Sequence, residues 1–266
     1  MPRGPLNPIK KAYASCSFGQ VHYRIAGKGG VPLVCLHLSP YSGSFYENFQ
    51  VEMSKDRLVI CPDTPGYGGS DRIRNNPTIQ EYAASFIEFI DSLGVEEVDI
   101  LGFHSGTFIA AEIALEAPKM VRRLILPGIP LVSETKRENL KAMYAKGRPY
   151  FTEEGYIQKR WDLGLKARGR QTEERFLQQF AESLLSGLDA NDGFSAVFSY
   201  IPEVQLPKVS QPVLIPIPDE ALAENSRAAA ALFKQVVIEE WPHLKSDLFE
   251  MDGAEIAHKF RKFLES

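Results

Sequence analysis

A histidine, His104, is the residue whose surroundings point most directly to chemistry. It stands at the centre of L-G-F-H-S-G (residues 101–106), after an apolar strand-like run and before a segment with a helical pattern. Gly102 and Gly106 flank it at a spacing that lets a strand and a helix pack closely around a sharp turn, with the central side chain held at the strand end. Ser105 is one position late, so its side chain should point away, whereas its backbone N–H lies where an oxyanion donor belongs. The alternative is an ordinary strand-turn-helix junction with incidental glycines.

Imidazole titrates near neutral pH, so His104 can act as a base without a second residue to activate it. Three reactions on a carbonyl compound fit such a residue. It could activate water to hydrolyse an ester, a lactone or a β-diketone, or abstract a proton for an elimination or a C–C cleavage. It could also attack the carbonyl carbon and form an acyl-imidazole. A carboxylate nearby, such as Glu240 or Asp219, would orient the ring and stabilise the imidazolium.

Short, nearly continuous apolar runs alternate with amphipathic segments along most of the chain. This alternation predicts an α/β fold with a parallel sheet covered by helices on both sides. An antiparallel hairpin with strands at Ala12–Phe18 and Gln20–Ala26 precedes them. The predicted parallel strands are Val31–His37, Leu58–Cys61, Val98–Phe103, Leu124–Leu126, Pro212–Ile217 and a last short one at Val236–Ile238. The helices predicted beside them are Ser44–Met53, Ile79–Leu93, Gly106–Ala117 and Ala254–Leu264.

The character of the sequence changes between about Ser133 and Gln205, where charged and aromatic residues follow a helical period. The helices predicted there are Glu134–Lys146, Thr152–Leu165, Thr172–Ser186 and Asp192–Tyr200. We expect residues 1–132 and 206–266 to form a core domain and residues 133–205 to form a helical cap. A cap over the carboxyl ends of the strands would enclose a ligand site. Its aromatic residues could line that site: Tyr144, Tyr150, Phe151, Tyr156, Trp161, Phe194, Phe198 and Tyr200.

Two further segments carry a resemblance to a known family. The run C-P-D-T-P-G-Y-G-G-S-D (residues 61–71) closely resembles the D-x-P-G-x-G-x-S-D segment of α/β-hydrolases. L-H-L-S-P (residues 36–40) resembles their H-G oxyanion loop, with Leu38 in place of the glycine. With the G-x-H-x-G segment around His104, they make the whole chain similar to α/β-hydrolase-fold proteins, in a subset that carries histidine instead of serine at this turn. The resemblance implies a mostly parallel central sheet with flanking helices and an inserted helical cap.

The resemblance also suggests where an oxyanion would be bound. The backbone amides of Leu38 and Ser105 are the expected donors. His37 is expected to shape the loop that carries Leu38, and Ser39 to take part in substrate binding.

The family's acid and histidine are not recognisable at their usual positions. P-V-L-I-P-I-P-D-E-A (residues 212–221) resembles the acid-bearing segment, but Ala221 falls at the position of the aspartate. Asp219 and Glu220 precede it, and a small loop shift could present either one. E-E-W-P-H-L (residues 239–244) resembles the histidine loop, with Glu240 at the position of the catalytic histidine. In this register His243 matches a non-catalytic histidine of the family. If the loop has a different register, His243 faces the site instead.

The predicted catalytic residues are therefore His104, Glu240, His243 and Asp219, without an intact Ser-His-Asp triad. The favoured hypothesis is a cofactor-free enzyme that acts on a small, largely apolar carbonyl compound with His104 as general base or nucleophile. A lyase or decarboxylase at the same site is an alternative, and so is a catalytically inactive small-molecule-binding protein. A serine hydrolase that uses Ser105 is disfavoured, because a shift by one residue rotates a side chain by about 100°. The identity of the substrate stays open.

Composition argues against several other classes of function. The net charge of −4 and the lack of a basic cluster interleaved with aromatics disfavour nucleic-acid binding, and no apolar run reaches the ~20 residues of a membrane span.

Residues 1–8 lack the apolar core of a signal peptide, and three cysteines, an odd number, disfavour a disulfide framework. A cytoplasmic location follows as an expectation. We expect no metal and no cofactor, since neither metal-ligand spacing nor a dinucleotide-binding glycine motif is present. A homodimer is left open.

Overall fold

A computed structural model of the chain describes residues 8–145 and 153–266. Its centre is an eight-stranded sheet in the order β1-β2-β4-β3-β5-β6-β7-β8. The strands are β1 (Lys10–Cys16), β2 (Gly19–Ala26), β3 (Leu33–Leu36), β4 (Val59–Pro62), β5 (Val98–Gly102), β6 (Val121–Ile125), β7 (Val213–Asp219) and β8 (Val236–Lys245). The pairings β1–β2 and β2–β4 are antiparallel, and all pairings from β4 to β8 are parallel. The predicted mostly parallel sheet is confirmed.

Helices pack on both faces of this sheet. The helices that the structure describes are α1 (Glu47–Met53), α2 (Ile79–Ser92), α3 (Ser105–Glu116), α4 (Glu134–Ala145), α5 (Tyr156–Ala167), α6 (Glu173–Leu185), α7 (Asp192–Ser199), α8 (Pro202–Gln205), α9 (Ala223–Ala230), α10 (Leu248–Met251) and α11 (Gly253–Glu265). Alternate residues of β3 enter two buried clusters: Val34 and Leu36 join residues of α2 and α3, whereas Leu33 and Cys35 join residues of α1 and α11. Both faces of β3 are buried, so its sequence is continuously apolar. Among the described helices, none has the length and apolarity required to cross a bilayer.

Helices α4 to α8 follow β6 and precede β7, in the region predicted as a cap. Thr172 caps α6, since its Oγ1 accepts a hydrogen bond of 3.2 Å from the N–H of Arg175. The predicted Thr152–Leu165 helix is observed as α5, whose bounds are Tyr156–Ala167. Lys146 and Thr152, at the ends of two predicted helices, lie outside the described residues. The division of the chain into a core and a cap at residues 133 and 205 stays a prediction.

Strand β8 is longer than the sequence predicts. It was expected to end at Ile238 and continues to Lys245, through the segment E-E-W-P-H-L. β8 is the last strand of the sheet and pairs only with β7, so Pro242 can be accommodated at its free edge. The segment that resembles a catalytic loop is therefore part of an edge strand.

Candidate active site

His104 connects β5 to α3 with φ 50° and ψ −114°. Among the described non-glycine residues, only Asn76 shares a positive φ. Such backbone conformations cost on the order of 1–3 kcal/mol and cluster at functional sites. The flanking glycines are required by packing, because a Cβ on Gly102 would lie 2.3 Å from the carbonyl oxygen of Gly106, and a Cβ on Gly106 would lie 2.2 Å from that of Leu36. The structure thus contains the sharp turn that the glycine spacing predicts.

A buried carboxylate, that of Glu220, lies beside the His104 ring. Nε2 of His104 is 3.0 Å from Oε2 of Glu220, whose side chain is 1% exposed, against 26% for that of His104. Oε1 of Glu220 has no hydrogen-bond partner in the described part of the chain. An ionised Glu220 carboxylate accepts a hydrogen bond from Nε2–H of the neutral ring, and the lone pair of that ring is then on Nδ1. Within residues 8–145 and 153–266, Nδ1 has no partner, so it is the atom available to take up a proton.

Gly128 makes room for the pair of His104 and Glu220. It lies three residues after β6 with φ 71°. A Cβ there would lie 2.3 Å from Cδ2 and 2.9 Å from Nε2 of His104, and 3.3 Å from Oε1 of Glu220. The only sequence signal for this residue is its place just beyond a predicted strand, a signal that many loop glycines share.

Four strand ends meet at this site. His37 follows β3, His104 follows β5, Gly128 lies beyond β6 and Glu220 follows β7. These four strands are consecutive neighbours and run parallel, so their carboxyl ends lie at one edge of the sheet. Ligands of open α/β sheets bind at that edge. The arrangement makes this edge the candidate active site.

The prediction of Asp219 as the carboxylate beside His104 is wrong by one residue. Asp219 ends β7, its side chain is 62% exposed, and it forms an ion pair with Lys245 of β8. Successive side chains of an extended chain point to opposite sides, so Glu220 points inward where Asp219 points outward. The sequence allowed a small loop shift that would bring Asp219 or Glu220 to the site. The structure places Glu220 beside His104.

Glu240 and His243 do not lie beside His104 either. Glu240 accepts hydrogen bonds of 2.8 and 2.6 Å from Arg227, which holds the pKa of this carboxyl below its ordinary value. Nε2 of His243 is 2.8 Å from the carboxylate of Glu255. The side chains of Glu240 and His243 are 52% and 57% exposed. The structure does not bring these two side chains to His104, because β8 continues through them and turns them toward solvent.

His37 fixes the loop that follows β3. The N–H of Thr64 donates a hydrogen bond of 2.8 Å to Nε2 of His37, so the ring proton is on Nδ1, which lies 2.8 Å from the carbonyl oxygen of Leu38. The side chain is fully buried, and burial lowers the pKa of the imidazole. His37 is therefore a neutral positioning residue that ties the Leu38 loop to the segment after β4.

The residues predicted to form the oxyanion hole lie together. The N–H of Ser39 donates to Oγ of Ser105 at 2.8 Å, and this hydroxyl in turn lies 3.2 Å from Oγ of Ser39. In the part of the chain that the structure describes, the N–H groups of Leu38 and Ser105 have no hydrogen-bond partner. The Ser105 hydroxyl thus joins the two loops, while two amide donors beside His104 stay unused.

The segment after β4 is organised around Asp63, which is fully buried. Its carboxylate accepts hydrogen bonds of 2.8 Å from the N–H groups of Gly43 and Gly69, and contacts Nδ1 of His22 at 2.8 Å and Nη1 of Arg24 at 3.2 Å. Burial acts to raise the pKa of Asp63, but the bonds from His22 and Gly69 hold it below its ordinary value. Asp63 stays ionised and anchors the D-T-P-G-Y-G-G-S-D segment.

Two cavities include His104 in their lining. The first, the α5–α6 cavity, has a volume of about 160 Å³ and is lined by residues of α5, of α6 and of the Leu38 loop. The second, the α7 cavity, has a volume of about 140 Å³ and is lined by Phe194, Val197 and Phe198 of α7 together with Leu222. No group of three His, Cys, Asp or Glu side chains in residues 8–145 and 153–266 could hold a metal ion.

The aromatic residues predicted to line the pocket separate into two groups. Phe194 and Phe198 line the α7 cavity, and Tyr144 stacks on both rings, with centroid distances of 4.9 and 5.6 Å. Trp161 packs among aromatic residues of α6, and the hydroxyl of Tyr200 donates to a buried glutamate of α3. Tyr150 and Phe151 lie outside the described residues.

Comparisons with known proteins agree with this architecture. Residues 31–162 match a family described as alpha/beta hydrolase fold. A hydrolase from Pseudomonas aeruginosa is similar in structure, with a TM-score of 0.81, 17% identity, and coverage of 97% of this chain and 99% of the other. The enol-lactonase from Burkholderia xenovorans LB400 is also similar, with a TM-score of 0.74, 17% identity, and coverage of 96% and 100%.

The sequence similarity to two curated proteins covers part of the chain. The 2-hydroxymuconate semialdehyde hydrolase of Pseudomonas sp. strain CF600 is 33% identical over 132 residues, which are 47% of this chain and 45% of that protein. The 2-hydroxy-6-oxo-2,4-heptadienoate hydrolase of Pseudomonas putida is 29% identical over 119 residues, 43% of each chain. The chain thus spans less than half the length of these relatives.

The buried, neutral His37 makes stability depend on pH. Its pKa is lowered in the folded state, so the unfolded chain binds more protons below about pH 6.5. Its contribution to stability is therefore present above that pH and is lost as the pH falls toward the folded-state pKa. In urea titrations between pH 7.5 and 5, the free energy of unfolding of the H37Q variant should fall less steeply than that of the wild type, by up to about 1.4 kcal/mol per pH unit. His258, which is exposed, provides the control variant H258Q. Equal slopes for H37Q and the wild type would contradict the assignment.

Gly128→Ala should push the His104 ring away from Glu220. Two penalties add, the strain of a side chain at positive φ and an unsatisfied buried carboxylate, so the free energy of unfolding should fall by about 2–5 kcal/mol. Gly94→Ala is the matched control, since Gly94 has φ 69° and no atom within 4 Å of an added Cβ, and it should lose only about 1–2 kcal/mol. In a His104→Ala background the cost of Gly128→Ala should shrink to that of the control. Strictly additive effects in this double-mutant cycle would refute the contact.

Proposed function

Residues 31–162 match the alpha/beta hydrolase fold family and the whole chain shares that fold, and we propose that the protein is a cofactor-free hydrolase of a small carbonyl compound, with His104 as general base or nucleophile. The observation that carries the proposal is the 3.0 Å contact between Nε2 of His104 and the buried carboxylate of Glu220, at a strained turn on the sheet edge. The substrate classes that fit are esters, lactones and β-diketones.

In the general-base reaction, Nδ1 of His104 takes a proton from water as the water oxygen bonds to the substrate carbonyl carbon. The imidazolium formed lies against the Glu220 carboxylate, which is buried and has no other described partner at Oε1. A buried unpaired carboxylate is costly, so a positive charge on the neighbouring ring is favoured. The proton then passes to the leaving group as the tetrahedral intermediate collapses.

The oxyanion of that intermediate would be bound by the amides of Leu38 and Ser105. Both N–H groups lack a partner among the described residues, and both belong to segments next to His104. His37 and the Ser39–Ser105 hydrogen bonds hold these segments in place before any substrate binds. Donors arranged in advance stabilise a developing oxyanion without reorganisation.

The relatives support hydrolysis of a carbonyl compound. Two curated proteins similar to this chain are named hydrolases of 2-hydroxymuconate semialdehyde and of 2-hydroxy-6-oxo-2,4-heptadienoate. One structural neighbour is an enol-lactonase. A protein that only binds a small molecule has no need of a carboxylate buried against a strained histidine, an arrangement that costs stability.

His104→Ala should lower kcat/KM for the best substrate in a panel of 4-nitrophenyl esters, lactones and β-diketones by about 10²–10⁴-fold, the usual contribution of a general base. Glu220→Gln should have an effect of the same order. Its amide cannot balance an imidazolium, and it can donate to Nε2, which moves the ring proton to Nδ1. The control is Glu224→Gln, an exposed residue paired with Arg227, and it should retain wild-type activity. Turnover that survives in His104→Ala would reject the proposal.

A fluorophosphonate probe should leave the wild-type protein unlabelled. Ser105 is 5% exposed, and its hydroxyl is hydrogen-bonded to Ser39. Among the described residues, no histidine lies within hydrogen-bond distance of this hydroxyl to activate it. An active serine hydrolase labelled in parallel serves as the positive control. Labelling that disappears in Ser105→Ala would show instead that this serine is the nucleophile.

A further inference from the structure

The α5–α6 cavity contains hydrogen-bond donors that nothing in the described chain satisfies. We propose that it binds a carboxylate group of the substrate, so that the enzyme acts on carbonyl compounds with a carboxylate on one side of the carbonyl and an apolar group on the other. The role of the bound carbonyl as the reacting group rests on the proposed function. The carboxylate subsite itself can be tested by binding alone.

Gln179 of α6 supplies the first argument. The residue is 6% exposed, lines the cavity, and its Nε2 has no hydrogen-bond partner in residues 8–145 and 153–266. Burial of an unpaired amide donor costs about 1–3 kcal/mol. A ligand acceptor in the cavity removes this cost. The orphaned donor therefore indicates that an oxygen atom of a ligand belongs beside Gln179.

The charge of the residues that line the α5–α6 cavity favours an anionic ligand. Arg168 is the only Arg or Lys that lines the α5–α6 cavity in the described chain, and no Asp or Glu of that part lines it. The guanidinium of Arg168 is 3.7 Å from Glu173, whose side chain is 86% exposed, a type of pair that contributes little. Tyr41 also lines the cavity, its hydroxyl has no partner in the described chain, and burial raises its pKa, so it stays a donor. A guanidinium and two neutral donors match a carboxylate.

The α7 cavity has the opposite character. Its lining includes Phe194, Val197, Phe198 and Leu222, and no Asp, Glu, Lys or Arg of the described chain lines it. Its volume of about 140 Å³ is close to that of an engineered apolar cavity of ~150 Å³ that binds benzene. Because His104 lines both cavities, a carbonyl at this residue lies between an apolar group up to the size of a phenyl ring and a carboxylate.

The probe that follows from this geometry is 4-oxo-4-phenylbutanoate, a ketone with a phenyl group on one side and a carboxylate on the other, which cannot be hydrolysed as an ester. Its neutral counterpart is 4-oxo-4-phenylbutanamide. Calorimetric titration of the full chain should give a dissociation constant at least about tenfold lower for the acid than for the amide. Arg168→Met and Gln179→Met, tested separately, should each reduce this ratio by about fivefold or more. Lys166→Met, which removes an exposed charge from the last turn of α5, two residues before Arg168, should leave it unchanged.

Two outcomes would overturn the subsite: equal affinity of the wild type for acid and amide, or a preference for the acid that persists in both the Arg168 and Gln179 variants. The His104→Ala variant separates this proposal from the function of the site. It should keep the preference for the acid, since the carboxylate binds away from the reacting atom, while it loses hydrolysis. If the His104→Ala variant kept both its preference for the acid and its full hydrolytic activity, the catalytic role of His104 would be rejected. The carboxylate subsite would still be supported.

Discussion

The contact between the His104 ring and the Glu220 carboxylate passes over the end of the strand that separates the two residues in the sheet. The two residues follow β5 and β7, and β6 lies between these strands in the sheet. Imidazole and carboxylate must therefore meet above the chain that leaves β6, and a side chain on that chain would occupy the same space. Gly128 is the residue there, and a Cβ on it would lie 2.3 Å from the ring. The positive φ of His104, the inward side chain of Glu220 and the missing side chain of Gly128 are thus three parts of one constraint.

The electrostatic consequence is a carboxylate with a single partner. Removal of a carboxylate from water costs several kcal/mol, and the cost is recovered only by an opposite charge or by hydrogen bonds. Asp63, by comparison, has two backbone N–H groups, a histidine and an arginine around it. The carboxylate of Glu220 has the His104 ring as its single hydrogen-bond partner in the described chain. Asp63 is placed to hold a loop together, whereas Glu220 is placed so that its environment improves when the neighbouring ring gains a proton.

The sheet and the His104 turn could be predicted from sequence because their signals are local. The run L-V-C-L of β3 is apolar since both faces are buried, and Gly102 and Gly106 lie within four residues of each other. The identity of the acid could not be predicted, since it depends on where β7 ends, and one residue reverses the direction of a side chain. Gly128 had only a signal that many loop glycines share, because its role arises from residues that follow two other strands. Glu240 and His243 were predicted at the site since nothing in their segment shows that β8 continues through it.

The arrangement of His104 and Glu220 can be compared with the triad of a Ser-His-Asp hydrolase. In such an enzyme the acid follows a late strand and orients a histidine from a later loop, which activates the nucleophile at the turn after β5. Here the imidazole stands at the turn itself, and an acid from the end of β7 reaches it directly at 3.0 Å. A histidine from the segment after β7 has no place between them. That segment is free to continue as edge strand β8, with Glu240 and His243 turned to solvent in ion pairs of their own. The exposed positions of Glu240 and His243 in β8 are compatible with an arrangement in which the ring at the turn already has a carboxylate beside it.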